Sequence, residues 1–129
     1  MQTDILIVED ETAILESLEF ILRRNGWSVD SVRDGDAALE AALRYRPRLL
    51  LLDIMLPKRG GLEVLKHLRA DERLRSTSVI ILTARGQEYD RQAAFDLKAD
   101  GFITKPYAND EVVEAVRRVL DAQSAPHHA

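Results

Sequence analysis

The sequence predicts an α/β protein, a single-domain doubly wound (βα)5 fold on a five-stranded parallel sheet. Short β-rich apolar runs alternate five times with longer segments whose apolar residues recur at helical spacing. One run, Leu49-Leu50-Leu51-Leu52, is unbroken, as a strand covered on both faces requires. With 129 residues, 46% of them hydrophobic, the chain can bury one sizeable core but not two.

Ile5-Leu6-Ile7-Val8 is the first expected strand, and Ile14, Leu15, Leu18, Ile21 and Leu22 follow at helical spacing until Asn25-Gly26 offers a C-cap. Val29 to Val32 reads as a weak second strand. Asp34 to Tyr45 reads as a helix with Leu39 and Leu43 inward, and Pro47 then breaks the chain. The third strand ends at Asp53, Gly60-Gly61 precedes a helix carrying Leu62, Leu65 and Leu68, and Val79-Ile80-Ile81-Leu82 is the fourth strand. A fourth helix is expected over Gln87 to Lys98 and a fifth strand over Gly101-Phe102-Ile103-Thr104. The last helix starts near Asn109 with Val112, Val113, Val116, Val119 and Leu120 on one stripe. The folded domain is expected over residues 1–122 and a disordered tail over 123–129. Parallel strands joined through helices require right-handed crossovers, which put helices on both faces of the sheet.

Composition narrows the function. The net charge is -4 with Lys and Arg dispersed, so the basic footprint of a nucleic-acid binder is missing and no direct nucleic-acid partner is expected. There is no cysteine, which removes disulfides, thiolate catalysis and cysteine-based metal sites together. No apolar stretch approaches a membrane span, and Met1-Gln2-Thr3-Asp4 lacks the basic start of a signal peptide. A cytoplasmic protein with no membrane partner is the expectation.

Asp53 puts a carboxylate where the most apolar strand stops. From that run alone, a turn residue capping the next helix explains it as well as a functional residue does. Elsewhere, Glu9-Asp10-Glu11 follows strand one, Thr83-Ala84 ends strand four and Lys105-Pro106 follows strand five. In a parallel sheet all of these lie at the carboxyl edge, where ligands of such folds gather. Carboxylates crowded at one edge repel each other and need a cation. Oxygen ligands select a hard one, such as Mg²⁺ held by two carboxylates, a backbone carbonyl and waters. Asp53 can then attack phosphorus to give an aspartyl phosphate. Mg²⁺, the Lys105 ammonium, the Thr83 hydroxyl and the Ala84 backbone N–H can hold the charge that develops on the phosphoryl oxygens.

Four motifs together, Ile7-Val8-Glu9-Asp10-Glu11, Leu52-Asp53-Ile54-Met55-Leu56-Pro57, Leu82-Thr83-Ala84 and Ile103-Thr104-Lys105-Pro106, resemble the response-regulator receiver domain of two-component signalling. The resemblance covers roughly residues 3 to 122. It implies the flavodoxin-like strand order 2-1-3-4-5. It makes Asp53 the phosphoacceptor, Asp10 a direct metal ligand, Glu9 a ligand through water and Met55 the backbone-carbonyl ligand, with Mg²⁺ as the cofactor and Mn²⁺ as a substitute. Thr83 and Lys105 take the roles of the phosphoryl-following hydroxyl and the ion-pairing lysine, Phe102 matches the switch aromatic, and Lys105-Pro106 matches a cis peptide. A histidine kinase or a histidine phosphotransfer protein is the implied donor. The implied output is a change in the surface of helix four, strand five and helix five, read by a protein partner or by a second copy. Met55 and Arg85 flank the attacking water's route in the family, and their bulk implies slow loss of the phosphoryl group. The protein is thus expected to be a switch whose only chemistry is its own phosphorylation and slow dephosphorylation, rather than an enzyme.

The look is nearest to receivers of winged-helix transcription factors, without an effector domain. That subfamily dimerises through charge pairs, for which Arg91 with Glu111, Asp96 with Arg117 and Asp100 with Arg118 are candidates, although Leu97, Gly101 and Ala115 stand where charge is usual. Lys98 replaces a common Gly and implies an altered helix end or local strain. Plainer roles remain for several residues. The acids at 9 to 11 also suit an N-cap and first turn, Tyr107 suits packing, His67 suits solvent, and the tail pair His127-His128 suits adventitious metal or disorder. A haloacid-dehalogenase-type phosphatase would need a second acid where Met55 stands. A pseudo-receiver would not need every chemical position filled. A flavodoxin-like cofactor binder would not put acids in its first loop.

Overall fold

The chain runs β1 (Ile5–Val8), α1 (Thr12–Arg24), β2 (Val29–Val32), α2 (Gly35–Tyr45), β3 (Leu49–Leu52), α3 (Gly61–Ala70), β4 (Ser78–Thr83), α4 (Glu88–Asp96), β5 (Gly101–Thr104) and α5 (Asn109–Ser124). This is a computed structural model that describes residues 2–84 and 87–124. The strands form one parallel sheet in the order β2-β1-β3-β4-β5, as the resemblance implies.

Alternation along each strand divides the apolar runs between two cores. Leu50 and Leu52 join Leu6, Val8, Val79 and Ile81 under α2 and α3. Leu49 and Leu51 join Ile5, Ile7, Ile80 and Leu82 under α1 and α5, whose Leu15, Leu18, Leu22, Val112, Val116 and Leu120 close that side. Four leucines in a row are therefore the residues a strand needs when it faces two helical layers.

Helix ends follow their caps. α1 stops at Asn25-Gly26 in a Schellman turn: Gly26 has φ +95, its N–H donates to Arg23 O at 2.9 Å, and the N–H of Trp27 donates to Leu22 O at 3.3 Å. The Asp34 carboxylate caps α2 by accepting from Ala37 N at 2.8 Å.

Three expectations are corrected. α2 meets the sheet through Ala38, Ala41 and Ala42, while Leu39 and Leu43 are only half-buried in the seam towards α3, because small residues let the helix approach the strands closely. α4 ends at Asp96, two residues before Lys98, which adopts φ 61 and closes the same kind of turn as Gly26. α5 continues through Ser124, past the boundary expected at residue 122; Gln123 Nε2 donates to Arg48 O at 2.9 Å and to Ser78 Oγ at 2.7 Å, which ties it down. His127 and His128 lie outside the described residues. Among the described residues no helix is long and apolar enough to cross a membrane.

Candidate functional site

Strand register assembles the polar residues. Val8 pairs with Leu52, and Asp53 N donates to Val8 O at 3.2 Å, so Glu9 and Asp53 leave neighbouring strands at the same level. Leu52 pairs with Ile81, which carries β4 two residues further to Thr83; Thr83 pairs with Thr104, and its carbonyl accepts from Lys105 N at 2.9 Å. Helix α3 then backs directly onto Asp53. A Cβ at Gly61 would lie 2.1 Å from Asp53 O and 2.7 Å from Ile54 Cα, so only glycine fits there.

At the centre, Lys105 Nζ donates to Glu9 Oε1 at 2.8 Å and to Asp53 Oδ2 at 2.9 Å, and lies 3.7 Å from Glu11 Oε1. Glu9 is 2% exposed and Asp53 4%. Buried charges of this kind require partners, and each carboxylate has a second one. Asp53 Oδ1 accepts from Met55 N at 3.0 Å and Glu9 Oε2 from Glu11 N at 3.1 Å. Burial pushes the Glu9 carboxyl above the usual carboxylate range, and the Asp53 charge adds to that, against the hydrogen bonds from Lys105 and Glu11. Burial also acts to lower the Lys105 ammonium, but its hydrogen bonds to Glu9 and Asp53 and their charges outweigh it, so the net direction is upward.

Glu9, Asp10 and Asp53 each offer an oxygen, all within 4.8 Å of one another. Three carboxylates against one ammonium leave the pocket negative. An all-oxygen set of this compactness fits a hard divalent cation such as Mg²⁺, and the Met55 carbonyl, two residues after Asp53, belongs to the same loop.

The alternative helix-capping role of Asp53 falls away, since α3 starts at Gly61 with Gly60 as its N-cap. Glu11 occupies the N-cap position of α1, but its side chain makes no cap hydrogen bond and the first turn holds no acid, so the expected capping role of the acids at 9 to 11 is not observed. Thr83 is fully buried at the end of β4. Ala84 shares a shallow apolar shelf with Ile14, Ser17, Lys105, Pro106 and Tyr107 between α1 and the β5–α5 loop. Lys105-Pro106 is cis. Phe102 is half-buried beneath the Arg91 guanidinium, 4.7 Å from the ring centroid. Arg85 lies outside the described residues.

His67 is exposed, as expected, and Arg59 Nη1 lies 3.2 Å from its Nδ1. The proposed charge pairs fare differently. Arg117 packs over Trp27 and donates to Asn25 Oδ1 at 3.2 Å, on the α1 side, so it is turned away from the surface where a pair with Asp96 of a second copy was expected. Asp100 Oδ2 accepts from Val79 N at 2.8 Å and lies 3.7 Å from Arg69 Nη2.

Two arginines were not singled out from the sequence. Arg69 of α3 donates to Leu97 O at 3.0 Å, Lys98 O at 2.9 Å and Thr77 O at 2.7 Å, pinning the end of α4. Arg33, just past β2, donates through Nη2 to Asp10 O at 2.7 Å and to Thr12 Oγ1 at 2.6 Å. Its signal is visible only once β2 is known to lie beside β1.

Comparison with known proteins agrees with this site. The response regulator receiver domain family matches residues 5–117. The transcriptional regulatory protein DltR of Streptococcus agalactiae is 48% identical over 113 residues, which are 88% of this chain and 50% of that protein. The phosphate regulon transcriptional regulatory protein PhoB of Escherichia coli is 39% identical over 120 residues, 93% of this chain and 52% of that one. The chain thus spans about half the length of the curated relatives it matches. Among solved structures, a CheY-like receiver domain protein of Methanospirillum hungatei superposes with TM-score 0.89 at 30% identity, covering 96% of this chain and 98% of that one. A sensor histidine kinase receiver domain of Pseudomonas aeruginosa, with a magnesium ion coordinated in its active site cleft, gives TM-score 0.84 at 30% identity, covering 94% and 99%.

Proposed function

The chain belongs to the response regulator receiver domain family, and from that premise we propose that it is a switch that accepts a phosphoryl group on Asp53 from a phosphohistidine of a histidine kinase or phosphotransfer protein. The observation that carries this reading is the 2.9 Å contact of Lys105 Nζ with Asp53 Oδ2 inside a pocket of buried carboxylates. One Asp53 oxygen bonds to phosphorus as the P–N bond of the donor breaks, and the released imidazole nitrogen takes its proton from solvent. Bound Mg²⁺, or Mn²⁺ in its place, supplies the positive charge that offsets the phosphoryl oxygens. Asp10 and Asp53 would hold that ion with the Met55 carbonyl, and Glu9 would reach it through water, its own oxygens being tied to Lys105 and Glu11 N. Lys105, the Thr83 hydroxyl and the Ala84 N–H take up the phosphoryl oxygens. The apolar shelf beside Lys105 is a platform on which a donor helix can present its histidine.

The added charge and acceptor oxygens draw Thr83 towards the phosphoryl group and turn Phe102 inward. The surface of α4, β5 and α5 then changes, and a downstream protein or a second copy reads it. Each proposed dimer pair has a member engaged within the chain, Arg91 over Phe102, Arg117 on Asn25 and Asp100 on Val79 N, so pairing with a second copy exchanges these contacts. Met55, two residues after Asp53, has a bulky and exposed side chain, and with Arg85 its bulk slows water attack, so the phosphoryl group is lost slowly. The reading carries a cytoplasmic location, since its donors phosphorylate there.

The test is incubation with Mg²⁺ and a small acyl-phosphate donor, followed by intact mass measurement of wild type and Asp53→Ala. Wild type gains one phosphoryl group and the variant none. An unmodified wild type, or an equal gain on both, refutes the reading.

A further inference from the structure

The β1–α1 loop is held unevenly. Glu9 is anchored by its N–H on Val32 O at 3.1 Å and by both side-chain oxygens. Asp10 differs: among the described residues no hydrogen bond or ion pair holds its carboxylate, and its backbone carbonyl is fixed by Arg33 Nη2 at 2.7 Å. The same nitrogen reaches Thr12 Oγ1 at 2.6 Å, so one guanidinium clamps the loop on both sides of Glu11. Register explains the reach. Val32 pairs with Val8, so the residue after β2 stands beside the residues that leave β1.

We propose that Arg33 is a positioning residue for the cation site, holding the Asp10 backbone so that its carboxylate stays aimed at the Asp53 side of the pocket. This rests on the reading of Asp10 as a metal ligand. A carboxylate whose own oxygens are kept for a cation has to be aimed through its backbone, and groups that orient metal ligands change metal affinity about 10–100-fold when removed. Charge alone predicts the opposite sign, since a guanidinium near the site repels Mg²⁺. Arg33 is exposed, so water and salt screen that repulsion, and positioning outweighs it.

The experiment is calorimetric titration of Mg²⁺ into wild type, Arg33→Ala, Arg33→Lys and Asp10→Asn, without a phosphoryl donor, with urea denaturation of each in EDTA. Arg33→Ala is expected to bind Mg²⁺ about 10-fold more weakly, the low end for such partners, while its urea midpoint in EDTA falls only by what the two lost hydrogen bonds cost and the variant stays folded through the titration. Arg33→Lys, which keeps charge and a donor, falls between the two. Equal or tighter binding by Arg33→Ala overturns the proposal, as does a weakening matched by an equal loss in Arg33→Lys. If Arg33→Ala does not fold, Arg33→Met, which keeps the aliphatic stem, carries the same expectation. A wild type that does not bind Mg²⁺, or an Asp10→Asn that binds as wild type does, overturns the cation reading itself and the proposal with it.

Discussion

Replacing Lys98 by glycine should stabilise the protein, and the size of the gain follows from the end of α4. Lys98 has φ 61, one residue past the C-cap Leu97. It closes a Schellman turn in which Lys98 N donates to Phe95 O at 2.9 Å and Ala99 N to Ala94 O at 3.0 Å. A Cβ in the left-handed region costs about 1–2 kcal/mol, which glycine avoids. Glycine adds about 0.4–1 kcal/mol of unfolded-chain entropy against it. The balance favours Lys98→Gly by about 0.5–1 kcal/mol. Among the described residues the Lys98 side chain makes no hydrogen bond or ion pair that would be lost, and its carbonyl keeps the 2.9 Å bond from Arg69. Arg46 is the internal contrast. It has φ 47 at the end of α2, but its side chain donates to Leu43 O at 3.0 Å and to Arg73 O at 3.2 Å. Losing those bonds, at about 0.5–1.5 kcal/mol each, cancels the relief, so Arg46→Gly should be neutral or destabilising. Urea denaturation followed by far-UV circular dichroism would compare Lys98→Gly, Lys98→Ala and Arg46→Gly with wild type. An unchanged midpoint for Lys98→Gly would refute the reasoning, and so would an equal gain in Lys98→Ala, which retains the Cβ.

Three further outcomes are expected. Gly61→Ala places a methyl 2.1 Å from Asp53 O; it should cost about 1–3 kcal/mol or more in urea melts and slow phosphorylation of Asp53, and a variant as stable as wild type would contradict the close approach. Lys105→Met leaves the buried Glu9 and Asp53 carboxylates without their shared ammonium, which should cost about 3–5 kcal/mol in EDTA. Added Mg²⁺ should then restore more stability to the variant than to wild type, and an equal Mg²⁺ effect on both would count against the shared pocket. Asp71 is held at about 2, first by the side-chain hydrogen bonds from Arg73 and then by the Arg73 N–H. Because this is below its ordinary value of 3.8, its contribution to stability is complete above that pH and is lost as pH falls towards 2. An NMR titration of the Asp71 carboxyl should show that midpoint, rising part of the way back in Arg73→Ala, and a wild-type midpoint near 3.8 would refute it.

Much of the candidate site was legible because its residues sit at strand ends. A strand end is marked locally, by apolar runs that stop, and Asp53, Thr83 and Lys105 all stand at such marks. What stayed illegible depends on side chains crossing between elements. Leu39 and Leu43 have the helical spacing of core residues, yet three alanines take the core because α2 lies too close to the sheet for larger groups. Arg117 reads as a free surface charge until Trp27 and Asn25 are seen beneath it. Arg33 and Arg69 resemble any exposed or amphipathic arginine in a list of residues, since their acceptors are backbone carbonyls, which carry no sequence identity.

The sequence by itself determined the alternation of strands and helices, the single core and the acidic, hydroxyl and lysine groups at strand ends, because periodicity and chain breaks act over a few residues. The motifs added the family and, through it, the strand order. Only the tertiary structure decided how the leucine run is shared between two cores, which acid pairs with Lys105, and where Arg33 grips the loop. Those outcomes depend on register and on contacts between residues dozens of positions apart, where a shift of one residue exchanges every partner.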